Sequence, residues 1–191
     1  VWIREICGQY KGVVPIDGKT ICGASEKQDN RSFSKLHIVS AWASANGITL
    51  GQEKVDEKSN EITAIPALIE ALDLVECIVT IDAMGCQKKI VETIIRNKAD
   101  YVISLKENQK TIHQQVIEQF VQIDNPSKHI PSTRYASYTT EETGHGRTEK
   151  RVYEMYYNGL DLFREWTGLK SIIRVQSYRK ENASGVETKD T

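Results

Sequence analysis

The 191-residue chain lacks most of the features that settle a protein's class at a glance. Its four cysteines, Cys7, Cys22, Cys77 and Cys86, form no Cys-x-x-Cys pair, so a thioredoxin-like redox motif and a usual zinc signature are both excluded. Cys77 and Cys86 read as buried or bystander thiols of a reduced compartment. No charge of one sign dominates: 25 Lys and Arg face 26 Asp and Glu, for a formal net charge of -1. A global basic field is therefore absent, and any nucleic-acid surface has to be local. No apolar run approaches the roughly 20 residues of a membrane helix, and no signal-peptide pattern is present, so the expectation is a cytoplasmic protein with no membrane partner. Internal repeats and low-complexity tracts are missing too. The chain opens on "VWIREI" without an initiator Met and closes on "SGVETKDT", a turn followed by what reads as the start of a strand. Both ends are expected to be cuts from a longer reading frame.

What is present is a succession of strand and helix patterns. "KGVVPIDGK" (11–19) reads as a strand ending in Asp17 and a turn, with Gly18 as the corner. "KLHIVSAWAS" and "ITLGQEKV" flank Asn46-Gly47, a strong hairpin signal. "SNEITAIPALIEALDL" spaces Ile62, Ile65, Ile69 and Leu72 as a helix, with Ser59, Asn60 and Thr63 as candidate caps and Pro66 suited only to a first turn. "CIVTIDAMGCQ" (77–87) is a buried strand ending on Asp82. "QKKIVETIIRNK" then carries an apolar helical stripe of Ile90, Val91, Ile94 and Ile95. "DYVISL" (100–105) is a further strand, and "NQKTIHQQVIEQFVQI" (108–123) is an amphipathic helix on Ile112, Val116, Phe120 and Ile123. The segment 124–134 reads as a connection. "TRYASYTTEE", "EKRVYEMYY" and "IIRVQSY" are three more strands, the first two joined through "TGHGR".

Three antiparallel strands, a helix, a parallel strand, a helix, another parallel strand and a helix make up the order of a ribonuclease H-like fold. That α/β fold is a mixed β-sheet flanked by helices, in which strands one and four are neighbours. Residues 1–123 are the expected core. Residues 124–191 are expected to continue the same domain as a β-rich insertion, before a catalytic helix that lies beyond the chain. The topology would bring Asp17 and Asp82 together. Two carboxylates about 4 Å apart repel by about 4 kcal/mol at an effective dielectric near 20. A divalent cation compensates that repulsion: Mg²⁺ and Mn²⁺ take hard oxygen ligands and keep several waters. For either aspartate alone, turn former or helix cap is the ordinary use; the pair is the more specific signal.

"IDGKT" (16–20), "KSNEITAIPALI" (58–69), "VTIDAMGCQKKI" (79–90), "DYVISLKENQ" (100–109) and "GHGRTEKR" (144–151) together resemble the bacterial insertion-sequence transposases of the DDE class, in the branch of H-repeat-associated proteins. The resemblance covers nearly the whole chain. It implies a domain that cleaves DNA at insertion-sequence ends and transfers the strands, with a two-metal site of Mg²⁺ or Mn²⁺. DNA is the implied partner, a homodimer the implied state of the full-length protein, and association with the bacterial nucleoid the implied location. Asp17 matches the family's first acid and Asp82 its second. The third, a glutamate in a His-Trp-x-Ile-Glu-Asn string, has no counterpart here, so this fragment is expected to be inactive alone. Cys22 stands where many relatives have a basic residue.

Glu149, within the inserted "GHGRTEKR" segment, is a candidate stand-in for the third acid, with a solvent-facing or ion-paired residue as its ordinary reading. Lys19 and Lys106 are candidate DNA contacts near the acids, and Arg147, Lys150 and Arg151 are candidates around the Gly-rich turn. Asn60 and Glu61, at the entrance to the first helix, are candidates for supporting the metal ligands, with capping as the plain alternative. His145 invites a general-base reading but has no visible partner acid. Tyr135, Tyr138, Tyr153, Tyr156 and Tyr157 suit base stacking or, more simply, sheet packing. A haloacid-dehalogenase-like phosphatase is excluded because Pro15 stands where its nucleophilic aspartate would be. A decayed transposase that binds DNA without cutting it is the alternative from another functional class.

Overall fold

The computed structural model describes residues 12–21, 36–55, 61–125, 127, 135–157, 160–181 and 186–190. These fall into two compact units. The first spans residues up to Lys110 with Glu165–Gly168, and the second holds Thr111–Arg164 and Leu169–Thr191. The helix over 110–123, assigned to the core on sequence grounds, thus packs with the second unit.

The first unit is built on a five-stranded sheet in the order β3-β2-β1-β4-β5. Its strands are β1 (Gly12–Ile21), β2 (Leu36–Ala43), β3 (Ile48–Val55), β4 (Cys77–Ile81) and β5 (Asp100–Ile103). β1, β2 and β3 pair antiparallel, whereas β4 runs parallel to both β1 and β5. This is the strand order expected of a ribonuclease H-like sheet. The β2–β3 hairpin closes as the Asn-Gly signal predicts: Gly47 takes φ 67, and its N–H bonds the Ala43 carbonyl at 2.9 Å.

Two helices, α1 (Glu61–Ala71) and α2 (Lys88–Arg96), supply Ala64, Ile65, Leu68, Ile69, Ile90 and Ile94 to one core with Val14, Ile16, Val39, Ala41, Val79 and Ile81 of the strands. The strands alternate with period two: Val14 and Ile16, like Cys77, Val79 and Ile81, face these helices, while Val13 and Ile78 are exposed on the other side.

Two expectations fail here. β1 does not turn at Gly18 but continues to Ile21, because β2 pairs with it from Ile16–Ala41 through Ile21–Leu36. Pro66 lies in the interior of α1 and is buried. An interior proline costs about 3 kcal/mol in helix terms; the burial of its neighbours Ala64, Ile65, Leu68 and Ile69 against the sheet outweighs that cost. Pro15 lies in β1 opposite Thr80 of β4, one residue before the β1–β2 ladder begins at Ile16.

Glu165–Gly168 also belongs to the first unit. Glu165 ion-pairs with Lys88, the Tyr101 hydroxyl donates to the Thr167 carbonyl at 3.2 Å, and Gly168, at φ 72, lies on Ile95 where a Cβ would not fit.

The second unit is an antiparallel sheet in the order β6-β7-β8-β9 with the helix α3 (Lys110–Ile123). Its strands are β6 (Tyr135–Gly144), β7 (Arg147–Tyr157), β8 (Ser171–Glu181) and β9 (Glu187–Asp190). β6 and β7 meet in a two-residue turn whose His145 and Gly146 both have positive φ, 51 and 75, as a type I′ hairpin requires. Arg174 of β8 joins the sheet to the end of α3: its guanidinium donates to both Asp124 oxygens, at 2.6 and 2.8 Å, and to Glu154, and lies over the Phe120 ring.

Candidate active site

The last register pair of β1 with β4 is Ile16 with Ile81. Asp17 and Asp82 are the next residue on each strand. Adjacent strands lie about 4.8 Å apart, and both isoleucines point into the helix-covered core. The two aspartates therefore start from neighbouring positions and emerge on the opposite face of the sheet, where both are exposed. Asp17 has Ser40 as its β2 partner, and Ser40 accepts a hydrogen bond from Gln52 at 3.1 Å.

Asp82 is fixed by the turn it opens. It keeps an extended backbone, at φ -69 and ψ -178, and caps a single 3-10 turn over Ala83–Gly85; its Oδ1 accepts from the N–H groups of Met84 at 2.9 Å and Gly85 at 3.4 Å. Gly85 packs so closely under Ile81 that a Cβ there would overlap the isoleucine. From beyond β5, Asn108 donates to the Ala83 carbonyl at 2.6 Å, and Gln109 donates to Gln87 at 3.2 Å. A carboxylate at the end of a buried strand thus has a local structural use, and Oδ1 takes both cap bonds while Oδ2 takes neither.

On the other side of β1, directly behind Asp17, lies a polar chain that sequence reading reached only at one end. Glu61, the first residue of α1, is hydrogen-bonded to His37 Nε2 at 2.5 Å, and the His37 Nδ1 meets the Thr20 hydroxyl at 2.9 Å. The Glu61 carboxylate rests on Gly18, in the space a Cβ would fill. His37 belongs to no motif, and Thr20 closes "IDGKT" without a role of its own there; only the β1–β2 register, which sets them opposite each other, brings the pair into view.

Among the other candidates, Lys19 stays in β1, two residues past Asp17 and on the same face, with Ile38 as its β2 partner. Lys106 is exposed just past β5, whose end is tied to β4 by the Ser104 N–H to the Ile81 carbonyl. Asn60 lies outside the described residues. Glu149, Arg147, Lys150 and Arg151 are in the second unit. Glu149, with its side chain 14% exposed, is surrounded by guanidinium groups: Arg151 at 2.5 Å, Arg147 at 2.8 Å and Arg179 at 3.2 Å. Lys150 is exposed opposite Glu141. Of the tyrosines, Tyr156 is buried, while Tyr138 is largely exposed beside Tyr153, with ring centroids 6.4 Å apart. His145 occupies the exposed tip of the β6–β7 hairpin.

Cys77 and Cys86 are both buried and neither is in a disulfide, and burial pushes the Cys86 thiol up to about 11. Cys7 and Cys22 lie outside the described residues. Among the described residues no three His, Cys, Asp or Glu side chains come together as a metal-binding group, and no helix is long and apolar enough to cross a membrane.

Asp17 within β1 and Asp82 just past β4 follow neighbouring residues of two parallel strands, and comparison with known proteins bears on the resemblance at the level of family. The model of the transposase DDE domain matches residues 9–158. This chain belongs to that family. It is 39% identical over 184 residues to "Putative transposase YncI" of Escherichia coli O157:H7, covering 94% of this chain and 45% of that protein. To "H repeat-associated putative transposase YhhI" of Escherichia coli strain K12 it is 37% identical over 182 residues, covering 93% and 46%. The chain spans about half the length of these curated relatives. A solved piggyBac transposase synaptic complex with hairpin DNA is similar at a TM-score of 0.40 and 11% identity, over 85% of this chain and 32% of that one.

Proposed function

We propose that this DDE-family transposase chain supplies the first and second acids, Asp17 and Asp82, of a site for metal-dependent cleavage and transfer of DNA strands at insertion-sequence ends. The observation that carries the reading is the Ile16–Ile81 register, which sets the two aspartates at adjacent strand positions on one exposed face. The donor set fits part of the shell of a hard divalent cation: two carboxylates, with room for the waters that Mg²⁺ and Mn²⁺ retain. Asp17 and Asp82 Oδ2 are the oxygens that would hold it. Bound there, such a cation supplies charge stabilisation to the entering and leaving oxygens of a phosphoryl transfer.

The protein's own share of the chemistry is binding and orientation. Lys19 and Lys106 flank the acids on the same sheet edge and are proposed to hold backbone phosphates. Arg147, Lys150 and Arg151 are proposed as further phosphate contacts. Glu149, set among three guanidinium groups, fits an ion-pair hub that orients Arg147 and Arg151 toward DNA better than it fits a metal ligand, because the charge a cation would supply is already there. The third acid, the DNA-bound homodimer and the nucleoid location stay with the proposed whole protein.

Strand cleavage with Mn²⁺, measured for this chain and for a form extended at its C-terminus, tests the reading together with a thermal-shift titration. A metal-dependent rise in melting temperature that disappears in Asp17→Asn and Asp82→Asn is expected. Cleavage by neither form, with both variants still binding Mn²⁺ as the parent does, would favour the non-cutting DNA-binding alternative.

A further inference from the structure

Beyond Ile16, β1 loses β4. The last β1–β4 pair is Ile16–Ile81, whereas β2 continues alongside from Asp17–Ser40 to Ile21–Leu36. Among the described residues, Asp17 therefore sits at the root of an arm that has a hydrogen-bonded neighbour on one edge only. An acid that must present its carboxylate at a fixed point needs that arm held still.

We propose that Thr20, His37 and Glu61 form a clamp that holds this arm and positions Asp17, an inference that rests on the reading of Asp17 as a metal ligand. The three residues come from three elements. Thr20 and His37 are directly opposite each other on β1 and β2, joined by Oγ1 and Nδ1 at 2.9 Å. His37 Nε2 and Glu61 Oε1 are 2.5 Å apart, and Glu61 begins α1. Because α1 is anchored in the core through Ala64, Ile65, Leu68 and Ile69, the carboxylate carries the rigidity of the core to the arm.

The contact falls on Gly18, the residue after Asp17. Its Cα faces the Glu61 carboxylate with no room for a Cβ, which gives Gly18 a packing role in place of the turn its sequence suggests. Bonds at Thr20 and packing at Gly18 bracket the helix-facing side of the arm, so the alternation of the strand leaves Asp17 on the far face with its Cα–Cβ direction set. Both imidazole nitrogens are engaged. With the proton on Nε2, His37 donates to Glu61 and accepts from the Thr20 hydroxyl, so the ring is locked in orientation without needing a charge. The side chains of His37 and Glu61 are only 25% and 14% exposed, where such a bond is screened less than a surface pair.

The test is a Mn²⁺ titration of the full chain combined with amide hydrogen exchange, for His37→Ala, Glu61→Ala, His37→Gln and Asp17→Asn. Loss of a group that orients a metal ligand commonly costs 10–100-fold in metal affinity. His37→Ala and Glu61→Ala are expected to weaken Mn²⁺ binding about tenfold and to speed exchange at the Asp17 and Lys19 amides, which face β2, while leaving β4 unchanged. His37→Gln, which keeps a donor for Glu61, is expected to restore much of both, and it serves as the working variant if either alanine form does not fold. Parental Mn²⁺ binding in the two alanine variants, alongside loss of binding in Asp17→Asn, overturns the clamp. Parental binding in Asp17→Asn overturns the metal reading instead. The exchange data, which need no metal, then decide the clamp alone: faster exchange at Asp17 and Lys19 supports it and unchanged exchange sinks it.

Discussion

Asn108 reaches from the turn after β5 to the carbonyl of Ala83, its amide nitrogen 2.6 Å from that oxygen. Ala83 comes directly after Asp82, so the turn that Asp82 caps is fastened from outside as well as from within. Asn108→Ala removes the outer fastening only. Faster hydrogen exchange at the Met84 and Gly85 amides is expected, with a loss of about 1 kcal/mol in overall stability, the usual worth of one such bond. Exchange at those two amides equal to the parent's would show that the cap alone suffices.

Asp82 has two separable uses, and two substitutions tell them apart. Asparagine retains an oxygen that can accept from Met84 and Gly85, so Asp82→Asn is expected to keep the parent's melting temperature while losing the Mn²⁺-dependent shift. Alanine removes the cap and costs about 1 kcal/mol in addition. Urea denaturation with and without Mn²⁺ separates the effects; equal stability of the two variants in the absence of metal would contradict the capping role.

Arg174 ties α3 to the second sheet through Asp124, Glu154 and Phe120. Hydrogen bonding to the Arg174 guanidinium holds the Asp124 carboxyl below the ordinary carboxylate range. A lowered folded-state value gives stability that is complete above the unfolded pKa and lost as pH falls through the folded one. The second unit is thus expected to weaken on acidification below about pH 4. Arg174→Met, which takes the cation from the largely buried Glu154 and leaves it the Tyr135 hydroxyl bond, is expected to cost on the order of 2–3 kcal/mol at neutral pH and to remove the Asp124 part of the acid sensitivity. Parallel pH–stability curves for parent and variant would refute this assignment.

Cys77 and Cys86 are buried, and burial raises the pKa of both thiols, Cys86 to about 11. The thiolate is the reactive form. In the native protein near pH 7.5, peptide mass mapping after brief treatment with iodoacetamide is expected to find both unmodified, and urea is expected to expose them. Rapid native labelling of Cys86 would mean that the turn after Asp82 opens readily.

Much of the fold is written locally. β-branched alternation marks β1 and β4, Asn46-Gly47 closes the β2–β3 hairpin, and the stripe of Ile90, Val91 and Ile94 marks α2; each pattern lies within one element and comes from backbone period and turn geometry. The order of the elements is enough to make β1 and β4 neighbours, and with them Asp17 and Asp82.

The features that escaped the sequence depend on contacts between residues far apart in the chain. Gly18 reads as a corner because glycine permits one, yet β2 pairing carries β1 straight through it and Glu61 takes the space its missing side chain leaves. Pro66 reads as a helix start, and burial keeps it in mid-helix. Glu149 reads as a spare acid until the β7–β8 register brings Arg179 across to join Arg147 and Arg151. Local residue patterns were sufficient for the elements, their order and the two aspartates, because each is encoded by residues adjacent in the chain. The support behind Asp17 emerged only on folding, because Thr20, His37 and Glu61 meet through strand register and helix packing, and neither leaves a local signature.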